Sequence, residues 1–150
     1  MEKLLISACL LGVNCKYNGG NNRLPEETLA ALRRRYALYP VCPETAGGLP
    51  TPRVPSERRD GGVWNREGED VTEAYEKGAL AALRLAERLG CSRALLKERS
   101  PSCGSGMIYD GSFTGTLIPG RGVTAEALQE AGLAVCGETE LDTLLREQEE

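Results

Sequence analysis

The chain predicts an α/β fold: a single-domain, doubly wound, mostly parallel sheet with helices on both faces and one small hairpin. Three observations predict it. Short apolar runs too brief for helices alternate with segments of helical spacing. The 150 residues, 41% of them hydrophobic, suit one core. Neither an internal repeat nor a composition shift marks a second domain, so residues 1–150 are read as one unit.

Residues 3–9 form an apolar run without helix caps and read as a buried first strand. Asn14 to Asn22 holds more turn formers than a connector needs. Pro25 at a first helical position, followed by Glu26 and Glu27 near the positive end of the dipole, starts a helix to about Arg35. Tyr36 to Cys42 is the second strand. Residues 43–69 are rich in Gly and Pro and show no periodicity, which predicts a long functional loop. Asp70, with Glu73 three residues on, predicts a capping box. The helix it opens buries Val71, Ala74, Tyr75, Gly78, Ala82, Leu85, Ala86 and Leu89 and stops at Gly90. Ala94 to Leu96 is a third strand, and Met107 to Thr114 a hairpin turning at Asp110-Gly111. Thr124 caps a helix to about Ala131, Leu133 to Val135 is a last strand, and 139–147 a closing helix. This order is that of flavodoxin-like and Rossmann-like sheets.

Composition narrows the function. The formal charge is −4, so no bulk positive field points to nucleic acid; Arg33-Arg34-Arg35 and Arg58-Arg59 read as solvated faces. No run of 18 apolar residues exists, and Met1-Glu2-Lys3-Leu4-Leu5-Ile6-Ser7 lacks a signal-peptide core, so a cytoplasmic protein away from membranes is expected. Histidine is absent, which removes Ser-His-Asp and Cys-His nucleophilic machinery and Cys₂His₂ zinc sites. Six cysteines in a reducing compartment suit metal or chemistry better than disulfides.

Cys9 and Cys42 close apparent strands, and Cys103 lies in the loop after a third, each beside a residue that frees or bends the backbone (Gly12, Pro43, Gly104). Strand ends of an open α/β sheet converge on one crevice, so these thiols are candidate ligands for zinc or an iron–sulfur cluster. Cys15 sits in the turn-rich loop and reads as an exposed or loop-packing thiol near the site. Cys91, after a helix end, and Cys136, at the end of an apolar strand, read as core thiols. Glu44, directed by Pro43, places a carboxylate beside Cys42 where it can move a proton to or from water. Ser100 and Ser102 offer hydroxyls to a substrate or a water. Gly104-Ser105-Gly106 resembles an amide nest for an anion, with Arg53, Arg66 or Lys97 adding charge. Tyr17 and Trp64 are candidate stacking partners for a flat ring.

These strings also carry a resemblance. Ser7-Ala8-Cys9-Leu10-Leu11-Gly12 with Tyr17-Asn18-Gly19-Gly20, Val41-Cys42-Pro43-Glu44 with Gly47 to Arg53, Asp70-Val71-Thr72 and Tyr75 to Ala79, and Ser100-Pro101-Ser102-Cys103-Gly104 resemble the family once called domain of unknown function 523, over nearly the whole chain. That family is similar to thiouracil desulfidases. The resemblance implies a [4Fe-4S] cluster on Cys9, Cys42 and Cys103 with one open iron, and it favours Ser100 as a catalytic hydroxyl. The expected activity is desulfidation of a small-molecule thiopyrimidine (thiouracil or a 4-thiouridine nucleotide) by non-redox hydrolysis that releases hydrosulfide. Catalysis is expected from Glu44 and Ser100, and substrate binding from Ser102, Gly104, Ser105, Tyr17 and Arg53. Free base, nucleoside and monophosphate stay open as substrates. The rival readings are a non-enzymatic iron–sulfur or zinc protein that senses redox state or stores metal, and a thiolating enzyme, which would need an activation site such as a P-loop that the chain does not show.

Overall fold

The computed structural model describes residues 1–146. Four strands form one parallel sheet: β1 (Glu2–Ser7), β2 (Tyr36–Val41), β5 (Arg93–Leu96) and β8 (Ala134–Gly137), in the order β2-β1-β5-β8. The remaining strands form two antiparallel hairpins, β3 (Ser56–Arg59) with β4 (Gly62–Asn65) and β6 (Met107–Tyr109) with β7 (Leu117–Pro119). Leu4, Leu5 and Ile6 are fully buried because β1 is covered on both faces.

Alternation along β1 separates the two cores. Leu4 and Ile6 pack with Leu29 and Leu32 of α1 (Glu26–Arg35) and Leu144 of α5 (Leu141–Arg146). Leu5 points the other way, to Ala82 and Ala86 of α3 (Thr72–Leu89) and Ala125 and Leu128 of α4 (Val123–Glu130). The doubly wound architecture is therefore observed. Since every strand of the sheet is parallel, all four carboxyl ends face one edge.

Several local expectations change. β1 stops at Ser7, and Cys9 lies in a 3₁₀ turn, Ala8–Leu11, closed by Gly12 at φ 98°. The stretch 43–69 is not structureless: it contains a short helix, α2 (Pro43–Ala46), and the β3–β4 hairpin, whose Asp60-Gly61 turn holds both residues at positive φ. That Asp-Gly signal was present but masked by the surrounding Arg and Glu. Helix α3 starts at Thr72, and Asp70 accepts the Thr72 N–H at 3.0 Å instead of forming a capping box with Glu73. The second hairpin has a seven-residue connection, 110–116, in place of a tight turn at 110–111. Thr124 is buried within α4 and Gly122 takes the cap position. The last strand extends to Gly137, a 3₁₀ turn at Glu138–Glu140 precedes α5, and the expected end of that helix at 147 lies outside the described residues.

Candidate active site

The carboxyl edge of the sheet opens into a cavity of about 520 Å³ whose lining includes Cys9, Cys15, Cys42, Cys103, Glu44, Ser100 and Ser102. Parallel register puts Ser7 level with Val41, so the turns carrying Cys9 and Cys42 leave adjacent strands side by side. Cys103 follows β5, the neighbour of β1 on its other side. The site thus stands where the strand order reverses, as open α/β sheets place ligands.

Cys42 precedes α2, and this helix is held by contact of bare backbone. A Cβ at Gly78 would overlap the Pro43 carbonyl, and one at Gly47 would overlap the Ala74 carbonyl. Only glycine allows α2 and α3 to approach this closely, and the approach aims Glu44 into the cavity. Its Oε1 accepts the Tyr75 hydroxyl at 2.8 Å and Arg53 Nε at 3.0 Å, while Oε2 accepts the Ser102 hydroxyl at 3.0 Å. Arg53 also donates to the carbonyls of Cys15 and Pro50 and to Thr51 Oγ1. Four of its five N–H groups are thereby spent on the protein, so it clamps the site instead of offering a free charge to a phosphate.

Ser100 Oγ accepts the N–H groups of Ser102 and Cys103, both at 3.1 Å, and lies 3.0 Å from Ser102 Oγ. Ser102 has one hydroxyl proton. Given to Glu44, it leaves Ser102 Oγ to accept from Ser100. The result is a chain of hydroxyls, Ser100 to Ser102 to Glu44, running past Cys103 Sγ, which is 3.4 Å from Ser102 Oγ.

Of the two readings of Cys15, exposed or loop-packing, the structure shows the second. Cys15 is buried, and its loop is ordered by Val13 N–H to Ala8 O, Lys16 N–H to Gly20 O, and the Arg53 bond to its carbonyl. Burial, and then the nearby Cys42 thiol, push Cys15 up to about 12; burial pushes Cys103 up to about 12 and raises Cys9 as well. Tyr75 is raised above its ordinary value by burial and by Glu44. The thiols therefore carry protons near neutral pH, and a metal centre forming on them must release protons.

The donor set is sulfur-rich, yet among the described residues no three thiols or carboxylates are gathered to hold a single ion. Tetrahedral zinc at about 2.3 Å per Zn–S bond needs its sulfurs about 4 Å apart. A cubane spreads its thiolates over separate irons, and such a group suits the Cys9, Cys42 and Cys103 thiols better than one zinc ion does.

Of the other expected residues, Tyr17 and Arg53 line the cavity, and Gly104, Ser105 and Trp64 do not. Gly104 is packed against Ile108 and the Ser100 and Met107 carbonyls, and Ser105 donates its hydroxyl to Glu98 at 2.6 Å. Lys97 lines the cavity but its ammonium pairs with Glu138 at 2.7 Å. Tyr75 and Phe113 were missed as site residues. Tyr75 read as core from helical spacing, which says nothing about a hydroxyl at the far end of the ring. Phe113 lay in what looked like a hairpin arm.

The family model for 2-thiouracil desulfurase matches residues 4–140. The chain belongs to the 2-thiouracil desulfurase family. A Bacillus subtilis (strain 168) relative, the uncharacterized protein YbbK, is 41% identical over 152 residues, covering 95% of this chain and 99% of that one. A solved structure, the [4Fe-4S]-dependent thiouracil desulfidase TudS, superposes with a TM-score of 0.94 at 43% identity, covering 99% of each chain. Within the 2-thiouracil desulfurase family match fall all four cavity cysteines, Glu44, Ser100 and Ser102.

Proposed function

We propose that this protein is a [4Fe-4S]-dependent desulfidase that removes sulfur from a thiolated pyrimidine, thiouracil or a 4-thiouridine nucleotide, by non-redox hydrolysis. The observation that carries the reading is the convergence of the Cys9, Cys42 and Cys103 thiols with the Glu44–Ser102–Ser100 chain on one cavity. The likeness to the desulfidase TudS supports it.

Cys9, Cys42 and Cys103 would hold the cluster, leaving one iron open. When bound, such a cluster supplies a Lewis acid that polarises the thiocarbonyl. The chain's own residues supply the rest. Glu44 Oε1 is saturated by Arg53 and Tyr75, so Oε2 is the oxygen with room to take a proton from a water attacking the ring carbon. The Ser102 hydroxyl fixes that oxygen's direction. The Ser100 hydroxyl proton, given to Ser102 in the chain described above, is redirected to the substrate or to the developing negative charge, a stabilisation of up to roughly 3 kcal/mol for such donors. The water oxygen becomes the ring carbonyl, the C–S bond breaks, and hydrosulfide leaves with one of the two water protons, returned by Glu44, while the other passes to solvent. No electron is gained or lost.

A small-molecule substrate follows, with neither nucleic acid nor membrane as partner. Among the described residues no helix is long and apolar enough to cross a membrane. A reducing cytoplasm suits six cysteines without a disulfide, and the chain 1–150 is proposed to act as one domain. The test is anaerobic purification with iron and sulfide counts and an assay of sulfide release from 2-thiouracil and 4-thiouridine monophosphate. A brown protein with about four irons per chain that releases sulfide is expected. A colourless protein with stoichiometric zinc overturns the reading.

A further inference from the structure

Among the described residues, three other than glycine hold positive φ: Asp60, Arg99 and Phe113. Asp60 serves a hairpin turn with Gly61 beside it. Arg99 and Phe113, at φ 66° and 57°, both line the cavity. The left-handed region disfavours an aromatic residue, and such strain persists only where the surroundings over-determine it.

Here they do. Glu57 Oε1 on β3 accepts the backbone N–H groups of Gly111 and Phe113 at 2.9 and 3.1 Å. The hydroxyls of Ser112, Thr114 and Thr116 link in series at 2.6 and 2.8 Å along the same connection. The turn is thus braced from two sides to present the chain's one phenylalanine to the cavity. The Arg66 guanidinium lies 5.7 Å from its ring centroid, close enough for a cation–π contact that stiffens the ring's position.

The aromatic residues first read as stackers are placed less well. Trp64 does not line the cavity. Tyr17 is 42% exposed beneath Lys16. The cavity is polar around Glu44 and Ser102 and aromatic at Phe113, which suits a flat ligand with a polar edge and an apolar face.

We propose that Phe113, held in a left-handed conformation by Glu57 and backed by Arg66, is the platform on which the pyrimidine ring of the substrate stacks. The inference rests on the desulfidase reading and names the residue that recognises its ring. Stacking recognises a π-face and not a sulfur, so uracil, which has no sulfur to lose, reports it by itself.

The experiment titrates uracil into parent holoenzyme, Phe113→Leu, Phe113→Tyr and Phe113→Gly by calorimetry, and measures KM and kcat for 2-thiouracil on each. Phe113→Leu is expected to weaken uracil binding and raise KM by tenfold or more, with kcat within about threefold of the parent. Phe113→Tyr keeps both close to the parent. Phe113→Gly, which suits the left-handed backbone, keeps or raises the melting temperature while losing uracil binding as Phe113→Leu does. Parent-like uracil binding and KM in Phe113→Leu, in a preparation whose parent releases sulfide, overturn this inference alone. A parent that releases no sulfide from any thiopyrimidine overturns the desulfidase reading and this inference with it.

Discussion

Cys42 and Cys136 both stand near the carboxyl end of a parallel strand, yet one lines a polar cavity and the other packs among Leu4, Ile6 and Leu95. Cys136 lies inside β8, paired with Leu95, and the chain continues for another residue before turning. Cys42 lies just past β2, where Pro43 turns the chain into α2. Cys91 lies in the opposite core, two residues before β5 begins, at the edge of the sheet away from the cavity, with its N–H on the Ala86 carbonyl. A thiol one residue inside a strand is a small hydrophobe, and one just past its end faces the crevice. Position relative to the strand end, more than residue type or burial, separates the two groups.

The largest expected effect breaks the cavity group. Cys9→Ser, Cys42→Ser and Cys103→Ser should each lose most of the iron and all sulfide release, read by iron count and visible absorption, whereas Cys15→Ser keeps both. Loss of the cluster in Cys15→Ser alone would put the buried fourth thiol among the ligands. Next comes the carboxylate that the Cys42 turn delivers. Glu44→Gln should keep the cluster spectrum and slow turnover on 2-thiouracil by roughly a hundredfold or more, with Ser100→Ala showing a smaller loss in the same assay.

Gly78→Ala removes no cavity side chain but pushes α2 from α3. A loss of roughly 1–3 kcal/mol in denaturant unfolding is expected, together with slower turnover as Glu44 moves off target. The smallest effect belongs to the core group. Cys91→Ala should cost about 1 kcal/mol for its buried sulfur and leave iron content and turnover unchanged; iron lost from Cys91→Ala would erase the division between the two groups.

The thiols sharpen the comparison through pH as well. Cys15 and Cys103 are raised from about 9 to about 12 in the folded metal-free protein. A raised value means that the folded state binds these protons more tightly than the unfolded one. The stability they contribute is complete below about pH 9 and is lost as pH rises toward 12. Alkaline unfolding of the iron-free protein, followed by circular dichroism, should show this decline, and Cys103→Ala should flatten it.

What the sequence determined by itself is what repeats locally. Apolar runs and helical spacing placed the sheet strands to within a residue or two, and three thiols in turn-rich strings after those runs pointed to one crevice, because strand ends of a parallel sheet share an edge. Tertiary structure alone decided the partners. Glu44 meets Ser102 across 58 residues and Tyr75 across 31, and no periodicity records such a pairing. The loop of Cys15 reads from sequence only as rich in turn formers, because its ordering contact, Arg53, lies 38 residues away. Gly78 read as one more small residue on a helix face until the Pro43 carbonyl was found against it. Phe113 stood in a Gly- and Ser-rich stretch until Glu57, from another hairpin, was seen to brace its backbone. Secondary structure is written in neighbours along the chain, whereas a site is assembled from side chains whose separation in sequence leaves no local trace.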